Sequence, residues 1–233
     1  LDQWSRLGIW VVSMFDMEYP HQLKIRHRSQ SPIIIFGAGN PNILNQGGLA
    51  IVGSRKASKS ALSYAYKAGT KAAKKNISII SGGAMGVDTA AMEGALENQG
   101  NGIIVVASDL ETQILKKKYR DYIINNQLTL ISMDLPSARW TPGRAMARNK
   151  YIYLLSEAAL VVECIENRGG TWSGACENIK ANWVPLYVRI RADNPIGNIE
   201  LLKNGAKKDL DLDLDKIQPP ELDHTKMTLS EIA

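Results

Sequence analysis

Histidine is scarce in this chain: three in 233 residues, at positions 21, 27 and 224. That scarcity argues against a histidine metal centre and against a Ser/His/Asp triad. Only two cysteines are present, Cys164 and Cys176, without CxxC spacing. A disulfide framework or thiolate metal site is therefore not indicated, and two reduced core thiols fit a cytoplasmic protein. No apolar run reaches the length that spans a bilayer. The first residues lack the basic start, apolar core and small-residue cleavage site of a signal peptide. The chain begins at Leu1 rather than Met, as expected of a trimmed or tagged protein. A cytoplasmic location without membrane contact is the expectation. Neither GxGxxG nor a GK[ST] P-loop occurs at its glycine-rich turns, so no dinucleotide or other cofactor, and no metal, is implied.

What is present describes a globular α/β protein. Hydrophobic residues make up 45% and charged residues 22%, and the length suits one sizeable domain and is marginal for two. The net charge is +5. The terminal stretch "KKDLDLDLDKIQPPELDHTK" is acidic, so the body is more basic still, which suits a polyanionic partner.

Short apolar runs alternate with helical patterns. "PIIIFG", Leu49 to Val52, Ile77 to Ile80, "GIIVVAS", "LTLIS", "ALVVECI" and "PLYVRI" read as strands. Residues 57–75, 87–98, 111–125, "GRAMARNKYIYLLSEA" and "TWSGACENIKAN" read as the helices between them. Such alternation predicts right-handed β-α-β units: a Rossmann-like α/β fold, its sheet mostly parallel with helices on both faces. The expected organisation is a small N-terminal lead (1–31), the main domain (32–209) and an acidic tail (210–233) carrying at most one short helix.

In these sheets ligands bind beyond the carboxyl ends of the strands, near the topological switch point. Three turns belong there: "GSRK", "SGGAMGVD" and "RGGTWSGA". Gly82 and Gly83 allow close backbone approach to a ligand before a helix start, where free N–H groups attract anions. Ser54, Arg55 and Lys56 follow the first strand of this set. "TPGRAMARNK" adds Arg144, Arg148, Asn149 and Lys150, with Arg144 and Arg148 four apart on one helix face. Guanidinium groups pair with phosphate bidentately, so these positions are expected to form a phosphate or nucleic-acid groove.

"DMEYPHQLK", "PIIIFGAGN", "AIVGSRKAS", "IISGGAMGVDTAAMEGAL", "ARNKYIYLLSEAALVVE" and "GGTWSGA" stand in this order. In that series the chain resembles the DprA/Smf DNA-processing family from about Met17 to Ala206. The resemblance implies an extended Rossmann fold that binds single-stranded DNA, often as a homodimer, and helps load a recombinase. There are departures: Met92 stands where the family has histidine, and "SDLETQIL" where it has a Tyr-Pro motif. Trp172, Gly174 and Glu177 replace its usual residues in the third glycine-rich turn.

Those last changes also resemble the LOG-type phosphoribohydrolases, which share the core and split N-glycosidic bonds. "AMARNK" followed by "GGTWSGACE" matches their fingerprint imperfectly, with Arg148 and Glu177 near the catalytic Arg and Glu. On that likeness the leading expectation is an N-glycosidic hydrolase acting on DNA, a glycosylase directed at foreign or modified phage DNA. Glu177 would stabilise an oxocarbenium-like sugar or orient water. Arg148 would hold the adjacent phosphate, and Asp88 lies in the same crevice. Gly169, Gly170 and Thr171 would cradle phosphate, and Trp172 would stack on an extruded base. Glutamate early in a helix is equally favoured by the helix dipole without any chemistry. The alternative is a non-catalytic protein that coats single-stranded DNA for a recombinase; a third reading is hydrolysis of free nucleotides.

Overall fold

The computed structural model describes residues 2–107, 109–193 and 195–217. The strands expected from the apolar runs are β2 (Ile34–Ala38), β3 (Leu49–Val52), β4 (Ile79–Ser81), β5 (Gly102–Val105), β6 (Leu128–Ser132), β7 (Ala158–Val161) and β8 (Leu186–Val188). Two more, β1 (Trp10–Ser13) and β9 (Lys207–Lys208), complete one sheet among the described residues, ordered β1-β2-β6-β5-β4-β3-β7-β8-β9. Strands β6 to β9 through the centre pair in parallel. At one edge β1 pairs antiparallel with β2, and β2 antiparallel with β6.

Alternation along each strand sends side chains to two apolar layers. On one face Leu49, Ile51, Ile79, Ile104, Leu128, Leu130 and Leu160 pack beneath α3 (Lys59–Ala73), α4 (Val87–Leu96), α5 (Leu110–Ile114) and α6 (Lys117–Ile124). On the other, Ala50, Val52, Ile80, Ile103, Val105, Ile131 and Val161 meet α2 (His21–His27), α7 (Pro142–Leu154), α8 (Gly169–Ala181) and α9 (Ile196–Lys203). Burial on both faces is why the strands read as unbroken apolar runs. No helix of the described residues is long and apolar enough to cross a membrane.

Three departures have local causes. The lead contributes α1 (Asp2–Arg6) and β1, so Trp10–Ser13 of the lead join the sheet; Trp10 Nε1 donates to Gly39 O at 2.8 Å. The single helix expected over 111–125 is two, α5 and α6. Its buried positions are Leu110 and Ile114, then Tyr119. An unbroken helix would have put Lys118 on that stripe, so the break restores an apolar face to each piece. Beyond β9 the chain stays docked: Asp209 accepts from Tyr64 Oη at 2.7 Å and from Ile190 N at 3.0 Å, and Leu212, Leu214 and Ile217 pack on the α3/α4 layer. The short helix expected in the tail falls on residues 218–233, outside the described residues.

Candidate nucleic-acid interface

From β3 the chain proceeds to β4, β5 and β6 on one side, and β7 returns to lie on the other. This is the switch point, and a crevice of about 550 Å³ opens above it. Its walls are the β3 turn (Gly53, Ser54, Arg55), the start of α4 (Asp88), one face of α7 (Arg148, Asn149) and the start of α8 (Arg168 to Thr171).

The turns brace one another. Thr171 Oγ1 donates to Gly53 O at 3.0 Å, Ser54 N to Glu163 O at 2.8 Å, and Val87 N to Ser54 O at 3.3 Å. Gly86, at φ 89°, is pressed so close that a Cβ would stand 2.3 Å from Ser54 O. Only glycine meets both the left-handed backbone and that approach.

Arg148 sits at the centre. Helix α7 begins where Thr141 Oγ1 accepts from Arg144 N at 3.1 Å with Pro142 in its first turn, a strong start signal. Two turns along, Arg148 Nη1 donates a short hydrogen bond to Val105 O. Its Nε is buried without a hydrogen-bond partner. Burial lowers this guanidinium to about 10, opposed by Asp88 and assisted by the charge of Arg55. Asp88 accepts from Gly82 N at 3.2 Å and Ala84 N at 3.4 Å, which ties the glycine turn to α4. Burial pushes its carboxyl up, with Arg148 pulling the other way.

Of the expected site residues, Ser54, Arg55, Asp88, Arg148, Asn149, Gly169, Gly170 and Thr171 line the crevice. Gly82 and Gly83 line a smaller pocket adjoining it. Others lie elsewhere. Arg144 turns to Asp134, Nε to Oδ1 at 3.5 Å, and donates to Arg139 O at 2.8 Å. Lys150 Nζ lies 5.2 Å from the Tyr151 ring centroid. Lys56 is exposed outside the lining, its backbone N bonded to Ser54 Oγ at 3.1 Å. Trp172 is half-buried, packed against the α7/α8 layer and outside the crevice lining. Glu177 is exposed, two turns into α8 and outside the crevice lining.

Among the lining residues given no role in the sequence are Arg168, which immediately precedes α8, and Trp140, 51% exposed at the rim. Trp140 stands just before the Thr-Pro start of α7. That signature marks a loop at a strand's carboxyl end and could have flagged it. Among the described residues no group of three or more His, Cys, Asp or Glu is placed to hold a metal.

The family model described as DNA recombination-mediator protein A matches residues 10–215. The DNA processing protein DprA of Streptococcus pneumoniae is 33% identical over 153 residues, covering 65% of this chain and 53% of that protein. A putative DNA processing protein DprA of Mycobacterium tuberculosis is 25% identical over 215 residues, 85% of this chain and 52% of its own length. The chain thus spans about half the length of the curated relatives it matches. The X-ray structure of DprA from S. pneumoniae superposes with a TM-score of 0.76 at 27% identity, over 89% of this chain and 74% of that one. A structure of Helicobacter pylori DprA, on that protein's single-stranded DNA binding mode, gives 0.71 at 23% identity over 87% and 91%, a likeness of fold.

These matches overturn the hydrolase expectation. The relatives are DNA-processing proteins, not N-glycosidic hydrolases. The geometry agrees, because the proposed acid Glu177 does not reach the crevice that holds Arg148. Antiviral base excision loses its basis with it. A match running from β1 past β9, on a fold shared with two solved relatives, places the chain in the DNA recombination-mediator protein A (DprA) family.

Proposed function

We propose that this chain binds single-stranded DNA in the switch-point crevice, as the DNA-holding core of a protein that passes the strand to a recombinase. One observation carries the reading. Arg55, Arg148 and Arg168 converge on one open crevice, and none makes a salt bridge among the described residues, although the charge of Asp88 reaches Arg148. Guanidinium groups outside salt bridges on a concave surface attract phosphate, which such groups bind bidentately. Trp140 at the rim adds the exposed aromatic face on which unpaired bases stack. Family membership supports the same reading, as does the single-stranded DNA binding mode of the H. pylori protein.

The test is fluorescence anisotropy with a labelled single strand and its duplex across a salt series. The single strand should bind more tightly than the duplex. Its affinity should fall with salt, and Arg55→Ala and Arg168→Ala should each flatten the slope by roughly 0.7, one phosphate contact apiece. Arg144→Ala, whose side chain faces Asp134, should leave the slope unchanged. Equal slopes in all four proteins would remove the crevice as the binding site.

A further inference from the structure

Beside the crevice, sharing Arg55, Ala84, Trp140 and Arg148 with it, lies a side pocket of about 150 Å³. Pockets that enclose a whole small ligand run to roughly 300–1,000 Å³. This one falls below that range, so it suits a group projecting from something held in the crevice.

Its walls say which group. Arg55, Lys116 and Arg148 bring three cations, and among the described residues no carboxylate lines it, Asp88 lying behind the glycine turn on the backbone N–H groups of Gly82 and Ala84. Arg55 and Arg148 are near enough for the charge of one to hold down the other, and Arg148 Nε is buried without a partner. Like charges gathered around a void are relieved by an anion between them. Gly83, at φ 67°, leaves the space open: a Cβ there would approach Ile104 Cγ2 at 2.8 Å and the Tyr119 hydroxyl at 3.5 Å. That hydroxyl and the Gln113 side chain add polar lining. A base stacks on an aromatic face, and the exposed one here, Trp140, is shared with the crevice. The Tyr119 ring is only 7% exposed and has Lys118 Nζ 4.5 Å from its centroid. An internal phosphodiester carries one negative charge, whereas a terminal phosphomonoester carries about 1.5 to 2 near neutral pH. Three cations suit the second.

We infer that the side pocket takes the terminal phosphomonoester of a DNA strand whose adjoining nucleotides lie in the crevice. The inference rests on the single-strand reading above.

The experiment uses one internally labelled oligonucleotide in three forms: 5′-phosphate, 3′-phosphate, and hydroxyl at both ends. One phosphorylated form should bind at least about fivefold tighter than the hydroxyl-ended strand, the scale of one added charge contact. Which end gains shows the polarity of the bound strand. Lys116→Ala, an exposed position, should abolish the gain while leaving the hydroxyl-ended strand within about twofold of its original affinity. Equal binding of the three forms, or a gain that survives Lys116→Ala, overturns the inference and leaves the crevice standing. Failure of every form to bind overturns the crevice reading as well.

Discussion

The guanidinium of Arg148 occupies the space a side chain at Gly82 would need: a Cβ there would stand 2.5 Å from Nη1 and 2.8 Å from Cζ. The contact joins the β4–α4 turn to the middle of α7, elements far apart in sequence. The neighbouring atoms are the far end of a flexible side chain, so a methyl group at 82 can push them aside without breaking the backbone. Gly82→Ala should therefore keep the fold and lower single-strand affinity about tenfold, roughly 1.4 kcal/mol. Arg148→Ala added to it should cost little more, because both changes remove one contact. Fully additive losses in a binding titration of the double variant would separate the two residues.

The two tryptophans near the crevice should divide by readout. Trp140→Ala should weaken single-strand binding by about 1–3 kcal/mol, the worth of a stacked base, and leave the melting temperature near its original value. Trp172, packed in the α7/α8 layer, should do the reverse: Trp172→Ala should cost about 2–3 kcal/mol of stability in urea titration, less than a fully buried tryptophan. Affinity lost at 172 with stability intact would restore it as a stacking residue.

Glu177 is exposed in the body of α8. Glu177→Gln should shift stability by no more than about 0.5 kcal/mol, as surface changes do. Single-strand affinity should stay within about twofold. A tenfold change in Kd would show that DNA passes over α8 and not only through the crevice.

His27 supplies a pH dependence. It is buried on α2, its Nε2 lacks a hydrogen-bond partner, and it stands edge-on to Tyr151 and Trp183 at 6.0 and 6.4 Å between centroids. Burial lowers its pKa, and the charge of Lys150 lowers it further. The folded protein therefore favours neutral imidazole. The stability this group permits is present above its unfolded pKa, about 6.5, and is lost as pH falls through the lower folded value. Melting curves from pH 7.5 down to 5 should show the parent losing more than His27→Gln. Parallel curves would mean the imidazole takes its proton inside the fold at no cost.

Much of this architecture was legible in the chain. Apolar runs such as Leu49 to Val52 and Gly102 to Val105 became central strands, since only a strand covered on both faces has no need of polar residues. Three small-residue turns before helices located the crevice, because alternating β and α segments fix which end of a parallel sheet the turns occupy. What the sequence could not settle was which side chains meet there. Arg144 and Arg148 share a helix face by spacing, yet Asp134, from the turn after β6, claims the first, while the second reaches Val105 O across the sheet end. Trp172 looked like the aromatic for DNA and is half-buried against the α7/α8 layer, while Trp140 on a loop is left exposed. β1 escaped notice because its pairing with β2 joins segments more than twenty residues apart. Local spacing sets an element and its apolar stripe. The rotation at which that stripe seats on the sheet, and so what its remaining residues face, is set by packing between distant segments and exists only in the folded protein.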